Sequence, residues 1–408
     1  MVNLIELLYH LIMNNNYVFR KQQELNILNS YLGKPFSIGK LNNVDQVLKI
    51  KNKIVDGIRT QSRNRFSHHL TNNNQISFKS ELFDYSYTYE RFNGFIFIDK
   101  FANVFYNISS KYYSSTFFTN CGMTAITSLL SSMCLSNNIS IDLLYEETYF
   151  ETMKYINIVN KNSSLKALYI DSIASDFDFK LNEELIKKYN YIIIDSTCFI
   201  GKKYSGMIKN IVNLNIPCIL VRSITKLDMV GTEYSHMGSV SFIYNKSIMN
   251  EKFEKIINDC KHLIGVYGAC LIPEKFPPFL LDKKLIKLNE KRINIVQSNN
   301  ELAFKILSKN GFNVVLPNHM EFCLIYIGKI DFNLDILKNK IIKFCESEKK
   351  SVYHAVSFGF DYVSIDCYQN FLDNSIKFRI CMNDDSVNNI KIIVNDFIKF
   401  IKNDIINK

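Results

Sequence analysis

Lys226 closes the run Val221-Arg222-Ser223-Ile224-Thr225-Lys226, an apolar stretch that finishes on two hydroxyls and an amine. Thirty-one residues earlier, Tyr191-Ile192-Ile193-Ile194-Asp195 is a second apolar run, and it ends on a carboxylate. Two buried strands that each finish in one reactive polar residue put both residues at the same rim of a sheet. An amine and an acid so placed suit an aldehyde cofactor. The lysine holds the aldehyde as a Schiff base and the acid pairs with the ring nitrogen, which is what pyridoxal phosphate (PLP) needs.

Other residues fit the same chemistry. The hydroxyls of Ser223 and Thr225 and the guanidinium of Arg222 can bind phosphate oxygens. Lys226 could serve as general base once freed by substrate, provided its pKa falls well below the ordinary value of about 10.4. In Thr119-Asn120-Cys121-Gly122-Met123-Thr124 a helix is predicted to begin, and its glycine permits close backbone approach. Free N–H groups and the helix dipole bind phosphate at such a start, although a plain capped helix has the same signature. Tyr145, in Leu144-Tyr145-Glu146-Glu147-Thr148-Tyr149, can stack on a flat heterocycle and act in acid/base chemistry, or simply pack. Asp195 is costly to bury unpaired, and a pyridinium N–H would compensate it; capping the next helix is the alternative. Thr197 can reach the same ring. Arg379, in Phe378-Arg379-Ile380-Cys381, lies in a strand pattern and needs an anionic partner, either a substrate carboxylate held bidentately or a structural ion pair. His236 and the pair His68-His69 are candidate pocket residues. No His/Cys/Asp group has metal spacing, so no metal site is expected, and no Gly-rich dinucleotide fingerprint occurs.

These residues must be positioned by an alternating pattern. Short apolar runs at 139–145, 165–170, 190–195, 217–222 and 239–244 are separated by polar or helical segments, and a helix is expected from about 121 to 134. Strands alternating with helices predict a mainly parallel sheet covered on both faces. A long helical pattern from 283 to 309 leads into a smaller α+β unit with strands near 313–316, 322–327, 353–358 and 376–381 and a final helix from about 386. The expected domains are an N-terminal helix and arm (1–80), a large α/β domain (81–284) and a small α+β domain (285–408). Residues 1–32 read as helical, and 55–80, rich in Asn, Ser, Arg and His, read as a loop or arm.

The bulk properties set limits. With 408 residues, two domains are the default; 47% apolar and 22% charged residues are ordinary for a soluble globular protein. The net charge of +10 is spread among Asn and Ile without an aromatic-interleaved groove, so nucleic acid is not an expected partner and anionic small molecules are. None of the ten cysteines forms a C-x-x-C pair, and most lie in apolar runs, which fits a reducing, cytoplasmic compartment. No apolar run reaches the roughly 18 residues of a membrane span, and an acid near the start argues against a signal peptide.

In order and spacing, the pieces resemble the fold type I family of PLP-dependent enzymes over roughly residues 85–400. The branch of cysteine and methionine metabolism (cystathionine γ-synthases and γ-lyases) is the nearest. Its Ser-Gly-Met resembles Cys121-Gly122-Met123, its Leu-Tyr-Gly-Gly-Thr resembles Leu144-Tyr145-Glu146-Glu147-Thr148, and its Asp-Asn-Thr resembles Asp195-Ser196-Thr197. Its Ser-x-Thr-Lys matches Ser223-Ile224-Thr225-Lys226. Its Tyr-x-Arg, which reaches a neighbouring subunit's phosphate, resembles Tyr89-Glu90-Arg91, a tripeptide without a signal of its own. The departures are Cys121 in place of the phosphate-binding Ser, and Leu227-Asp228 where that branch has Gly-His. Gly231 five residues after the lysine, the Arg222-Ser223 pair, and Ser357-Phe358-Gly359-Phe360 look instead like class I/II aminotransferases.

The resemblance implies a seven-stranded, mainly parallel large-domain sheet with a small C-terminal domain, PLP bound through Lys226, an amino-acid substrate held by Arg379, and a homodimer or homotetramer. It implies β- or γ-elimination or replacement, with transamination as the alternative and a non-catalytic relative as a third.

Overall fold

The computed structural model describes residues 17–67, 76–79, 84–87, 101–146, 148–174, 177–199, 203–245, 247, 251–317, 321–328, 333–347, 351–369 and 375–406. Tyr89, Arg91, His68 and His69 lie outside the described residues. The chain divides into two units. One comprises Arg59–Met229 and Glu233–Asp282; the other comprises Met1–Ile58, Val230–Thr232 and Lys283–Lys408.

The first unit carries a short antiparallel pair, β1 (Ile76–Lys79) and β2 (Asp84–Tyr87), and a six-stranded sheet. The sheet strands are β3 (Tyr113–Thr119), β4 (Ser140–Leu143), β5 (Lys166–Asp171), β6 (Tyr191–Asp195), β7 (Cys218–Ser223) and β8 (Gly238–Tyr244), in the order β3-β8-β7-β6-β5-β4. Strands β4 to β7 are parallel, and β8 is antiparallel to both of its neighbours. Five of the six strands therefore run the same way. All the expected strands of this unit form. The described sheet has six strands where seven were expected, and β3 was not anticipated because its Ser-Ser-Thr interior masks its apolar face.

The central strands are buried on both faces, as a covered parallel sheet requires. Tyr191 and Ile193 of β6 face a core built with the helices Gly122–Ser131, Phe150–Val159 and Glu251–Val266. Ile192 and Ile194 face the opposite core, built with Phe199, Tyr106 and the helix Lys203–Asn213. This alternation decides which side chains reach the site.

The second unit has a five-stranded sheet of β9 (Asn313–Val315), β10 (Cys323–Gly328), β11 (Val352–His354), β12 (Val363–Gln369) and β13 (Ile376–Cys381), in the order β11-β12-β13-β10-β9. The strand expected at 353–358 stops at His354, after which Val356 is exposed. β12 was missed. The helices Lys283–Lys309, Leu334–Ser347 and Val387–Phe400 cover the sheet.

Residues 17–30 and Val44–Ser67 are also helical, so much of the segment expected as an arm from 55 is helix. The reason is a buried stripe: Val47, Lys51, Ile54, Val55 and Ile58 recur at helical spacing, and all five are inaccessible. Lys51 occupies a core position of that stripe. Its Nζ bonds Glu24, the Val230 carbonyl and, at 2.5 Å, Asp361 Oδ2. Asp361 Oδ1 also accepts from Lys21 Nζ and Arg292 Nε, each at 2.8 Å. Burial alone would raise the Asp361 carboxyl; the surrounding Lys21, Lys51 and Arg292 hold it well below the usual carboxylate range. The network also fixes a backbone turn. Val230 (φ 53°) and Gly231 (φ 77°) are both left-handed, the Asp361 N–H donates to the Gly231 carbonyl at 3.0 Å, and a Cβ on Gly231 would collide with the Asp361 carboxyl.

Removing one member of such a network leaves a buried charge uncompensated. Lys51→Met is expected to lower the unfolding free energy by about 3–5 kcal/mol, read from urea denaturation.

Candidate active site

The strands β5, β6 and β7 end side by side, and Asp171 pairs in register with Asp195, and Asp195 with Val221. Side chains alternate between faces along each strand, so Asp171 shares a face with Tyr169, Asp195 with Ile193, and Ser223 with Val221. Tyr169, Ile193 and Val221 belong to one core, the one that also contains the helix Gly122–Ser131. Asp171, Asp195 and Ser223 therefore lie on the face where that helix starts.

The helix start rests directly on β7. A Cβ on Gly122 would lie 2.8 Å from the Ser223 Cβ and 3.1 Å from its Cα, and a Cβ on Gly238 would collide with the Cys121 carbonyl. Only glycine allows either approach. Cys121 is extended (φ −164°) and its N–H donates to Thr124 Oγ1 at 3.3 Å, which caps the helix. The leading N–H groups of this ten-residue helix have no carbonyl partner within it, the Thr124 N–H donates to the Cys121 side chain, and the helix starts against Ser223. Met123 packs on the core behind.

Thr197 ties the pieces together. Its Oγ1 accepts from the Ser223 N–H at 2.9 Å, and its own N–H donates to Asp195 Oδ1 at 2.9 Å. Thr225 Oγ1 accepts from the Met237 N–H at 3.0 Å. Lys226 sits one turn past the strand end, in the short helix Ile224–Leu227, half-buried, with Nζ 5.7 Å from the centre of the Tyr149 ring. Its charge favours ionisation of both Asp171 and Asp195. Burial still dominates. It raises the Asp195 carboxyl above its ordinary range, and burial together with Asp195 pushes Asp171 up to about 7.

Sequence reading thus brought Cys121, Gly122, Asp195, Thr197, Ser223, Thr225 and Lys226 to one place. Three other residues stand elsewhere or have partners of their own. Arg222 points to the opposite face of the sheet from Ser223. Its Nε and Nη2 hold both oxygens of Asp228 at 2.7 and 2.8 Å, and the remaining donors meet the Ser196 and Phe199 carbonyls. The role of phosphate ligand does not suit a guanidinium so filled. Tyr145 packs its ring against Phe177, and its OH accepts from the Asp178 N–H at 3.2 Å; the aromatic ring beside Lys226 is Tyr149. Arg379 belongs to the other unit. It faces Asp366 across β12–β13 at 3.5 Å, bonds the Ala355 carbonyl at 3.2 Å and lies over the rings of Phe322 and Phe358.

Asp171 joins this rim beyond the residues expected from the motifs, and its sequence signal is Leu168-Tyr169-Ile170-Asp171, which has the same apolar-run-then-acid form as the run ending at Asp195. Its oxygens accept from the N–H groups of Tyr149 and Ile173, each at 2.9 Å. Among the described residues, no group of three or more His, Cys, Asp or Glu could hold a metal ion, the ten cysteines are free, and no helix is long and apolar enough to cross a membrane.

Two substitutions test this geometry. Gly122→Ala is expected to cost about 1–3 kcal/mol in chemical denaturation, since the added methyl meets backbone as well as side chain. Arg222→Lys is expected to cost about 3–5 kcal/mol by the same measurement, because one ammonium cannot replace the paired contacts to Asp228 and two carbonyls.

No protein-family model and no curated protein matches the chain. Solved structures do. An SPT structure with PLP superposes with a TM-score of 0.54 at 12% identity, over 85% of this chain and 83% of that one. The 8-amino-7-oxononanoate synthase of Francisella tularensis gives 0.50 at 13% identity, over 85% and 93%. A putative O-acetylhomoserine (thiol)-lyase of Campylobacter jejuni, solved with a pyridoxyl-lysine monophosphate, gives 0.50 at 13% identity, over 74% and 83%. The chain has the α/β fold with a mixed sheet that these fold type I PLP enzymes share.

Proposed function

We propose that this protein is a PLP-dependent enzyme acting on an amino acid, with Lys226 as the residue that binds the cofactor covalently. The observation that carries this reading is the convergence of Gly122, Ser223, Thr197, Asp195 and Lys226 on one face at the ends of β6 and β7. The donor set suits the group. The helix start at Gly122, packed directly against Ser223, brings backbone N–H groups and a hydroxyl together for a phosphate, Asp195 offers a buried acid for a ring nitrogen, and Lys226 offers an amine for an aldehyde. When bound, PLP supplies an electron sink for charge developing at the substrate α-carbon.

Each residue then has a task. Asp195 would pair with the ring nitrogen of the cofactor, and the Thr197 N–H holds that carboxylate in place. Lys226 would hold the cofactor and, as a free amine, would take the substrate α-proton at Nζ. Tyr149 lies against the lysine and is the aromatic candidate to flank the ring, the role expected of Tyr145 from the motif. Arg379 is proposed to bind the substrate carboxylate, and Tyr89 and Arg91 to reach a neighbouring subunit's phosphate in a cytoplasmic homodimer or homotetramer.

The proposed reaction is elimination or replacement at the β- or γ-carbon. It is supported by the motifs around Cys121-Gly122-Met123 and Ser223-Ile224-Thr225-Lys226, and by the likeness to a thiol-lyase fold. Transamination is the second reading, favoured by the left-handed turn at Gly231, five residues after the lysine. The purified protein supplied with PLP is expected to show an imine absorption band that Lys226→Ala abolishes. Incubation with β- and γ-substituted amino acids should then release a keto acid and ammonia or form a new amino acid. Conversion to the pyridoxamine form with an amino donor instead would select transamination, and no band in the wild type would end both readings.

A further inference from the structure

The function proposed above leaves Asp171 without a task, although its side chain is as buried as that of Asp195. The two acids end neighbouring parallel strands in register, about 4.8 Å apart along the sheet, and their side chains share one face. The Asp171 carboxyl is held rather than mobile: the Tyr149 N–H at the start of the helix Phe150–Val159 donates to Oδ2 and the Ile173 N–H to Oδ1. The groups that face it are few. Tyr169, on the same strand, brings a buried phenol whose ionisation is suppressed by burial and by both aspartates. Asp195 faces it from β6, and Lys226 from the turn after β7. Asp195 in turn is raised by burial, and is favoured in its ionised form by the Thr197 side chain and N–H and by the charges of Lys226 and Arg222. Arg222 is itself matched by Asp228. Two buried acids therefore face the same ammonium, that of Lys226, and like charges side by side in such a place repel strongly.

We propose that Asp171 and Asp195 hold a single proton between them, so that the crevice presents one negative charge, on Asp195, to a cationic ring nitrogen and weakens its hold on an anionic phosphate ester when that proton leaves. This rests on the function proposed above. Asp171 is then a positioning residue: it acts on the cofactor through the charge of Asp195 and the total charge of the site. The dominance of burial and the Asp195 charge over its two backbone hydrogen bonds, which together push Asp171 up to about 7, agrees with that division.

The test compares wild type with Asp171→Asn, using the full chain, first freed of cofactor and then titrated with pyridoxal phosphate. An acid raised in the folded state contributes stability below its ordinary value of 3.8 that is lost as pH rises to about 7. Without cofactor, the melting temperature of the wild type is therefore expected to fall from about pH 4 to about pH 7 relative to that of Asp171→Asn. With cofactor, wild-type affinity is expected to drop from pH 6 to pH 8 relative to the variant, by at most about tenfold, the change in protonated fraction of a group near 7.

Parallel melting profiles and parallel affinities would overturn the proposal. Should Asp171→Asn fail to fold, Asp195→Asn keeps Asp171 and removes its repelling neighbour. The wild-type stability midpoint must then move to lower pH, and an unmoved midpoint overturns the shared proton. The two readings separate cleanly. Diverging melting profiles in proteins that never take up pyridoxal phosphate sink the functional reading and leave the shared proton. Tight binding by both proteins with parallel profiles does the reverse.

Discussion

The candidate site depends on one close approach, the backbone of Gly122 against Ser223. No side chain larger than hydrogen fits there, and Gly238 makes a second approach of the same kind beneath Cys121. These two glycines let the start of the helix Gly122–Ser131 sit on the ends of β7 and β8, directly against Ser223. Everything else follows from strand order. Once β5, β6 and β7 are parallel neighbours, Asp171, Asp195 and Ser223 share a rim, and Lys226 follows one turn later.

The two units treat buried charge in opposite ways. In the unit with the C-terminal sheet, Asp361 receives Lys21, Lys51 and Arg292, and its carboxyl is driven far into the ionised form despite complete burial. In the unit with the large sheet, Lys226, backbone N–H groups and, for Asp195, Thr197 and Arg222 favour the ionised acids, but burial outweighs them and raises both Asp171 and Asp195. A balanced network specifies structure. An unbalanced one, at the open ends of parallel strands where ligands bind in α/β folds, is suited to meeting a charged ligand.

Much of this was legible in the sequence. An apolar run ending in one polar residue marks a buried strand and its rim residue, and that form located Asp195 and the Ser223–Lys226 segment. It also marks Asp171, the residue directly after the apolar run 165–170. The Arg222 assignment failed on period-two alternation: if Ser223 faces the phosphate turn, Arg222 faces away. Tyr145 and Tyr149 lie in a connection after β4, where no periodicity says which ring turns inward. The helix Val44–Ser67 was obscured because Asn, Arg and Ser dominate its exposed side, although Val47, Ile54, Val55 and Ile58 keep helical spacing. The Lys21–Asp361 and Lys51–Asp361 pairs join residues more than three hundred positions apart, and no local pattern announces them.

The most direct test of the central claim is chemical trapping. The protein saturated with pyridoxal phosphate is reduced with borohydride, digested and mapped by mass spectrometry. One pyridoxyl-phosphate group per chain, fixed on the peptide that contains Lys226, is the predicted result. A label spread over several surface lysines, or fixed on a lysine other than Lys226, would contradict the account.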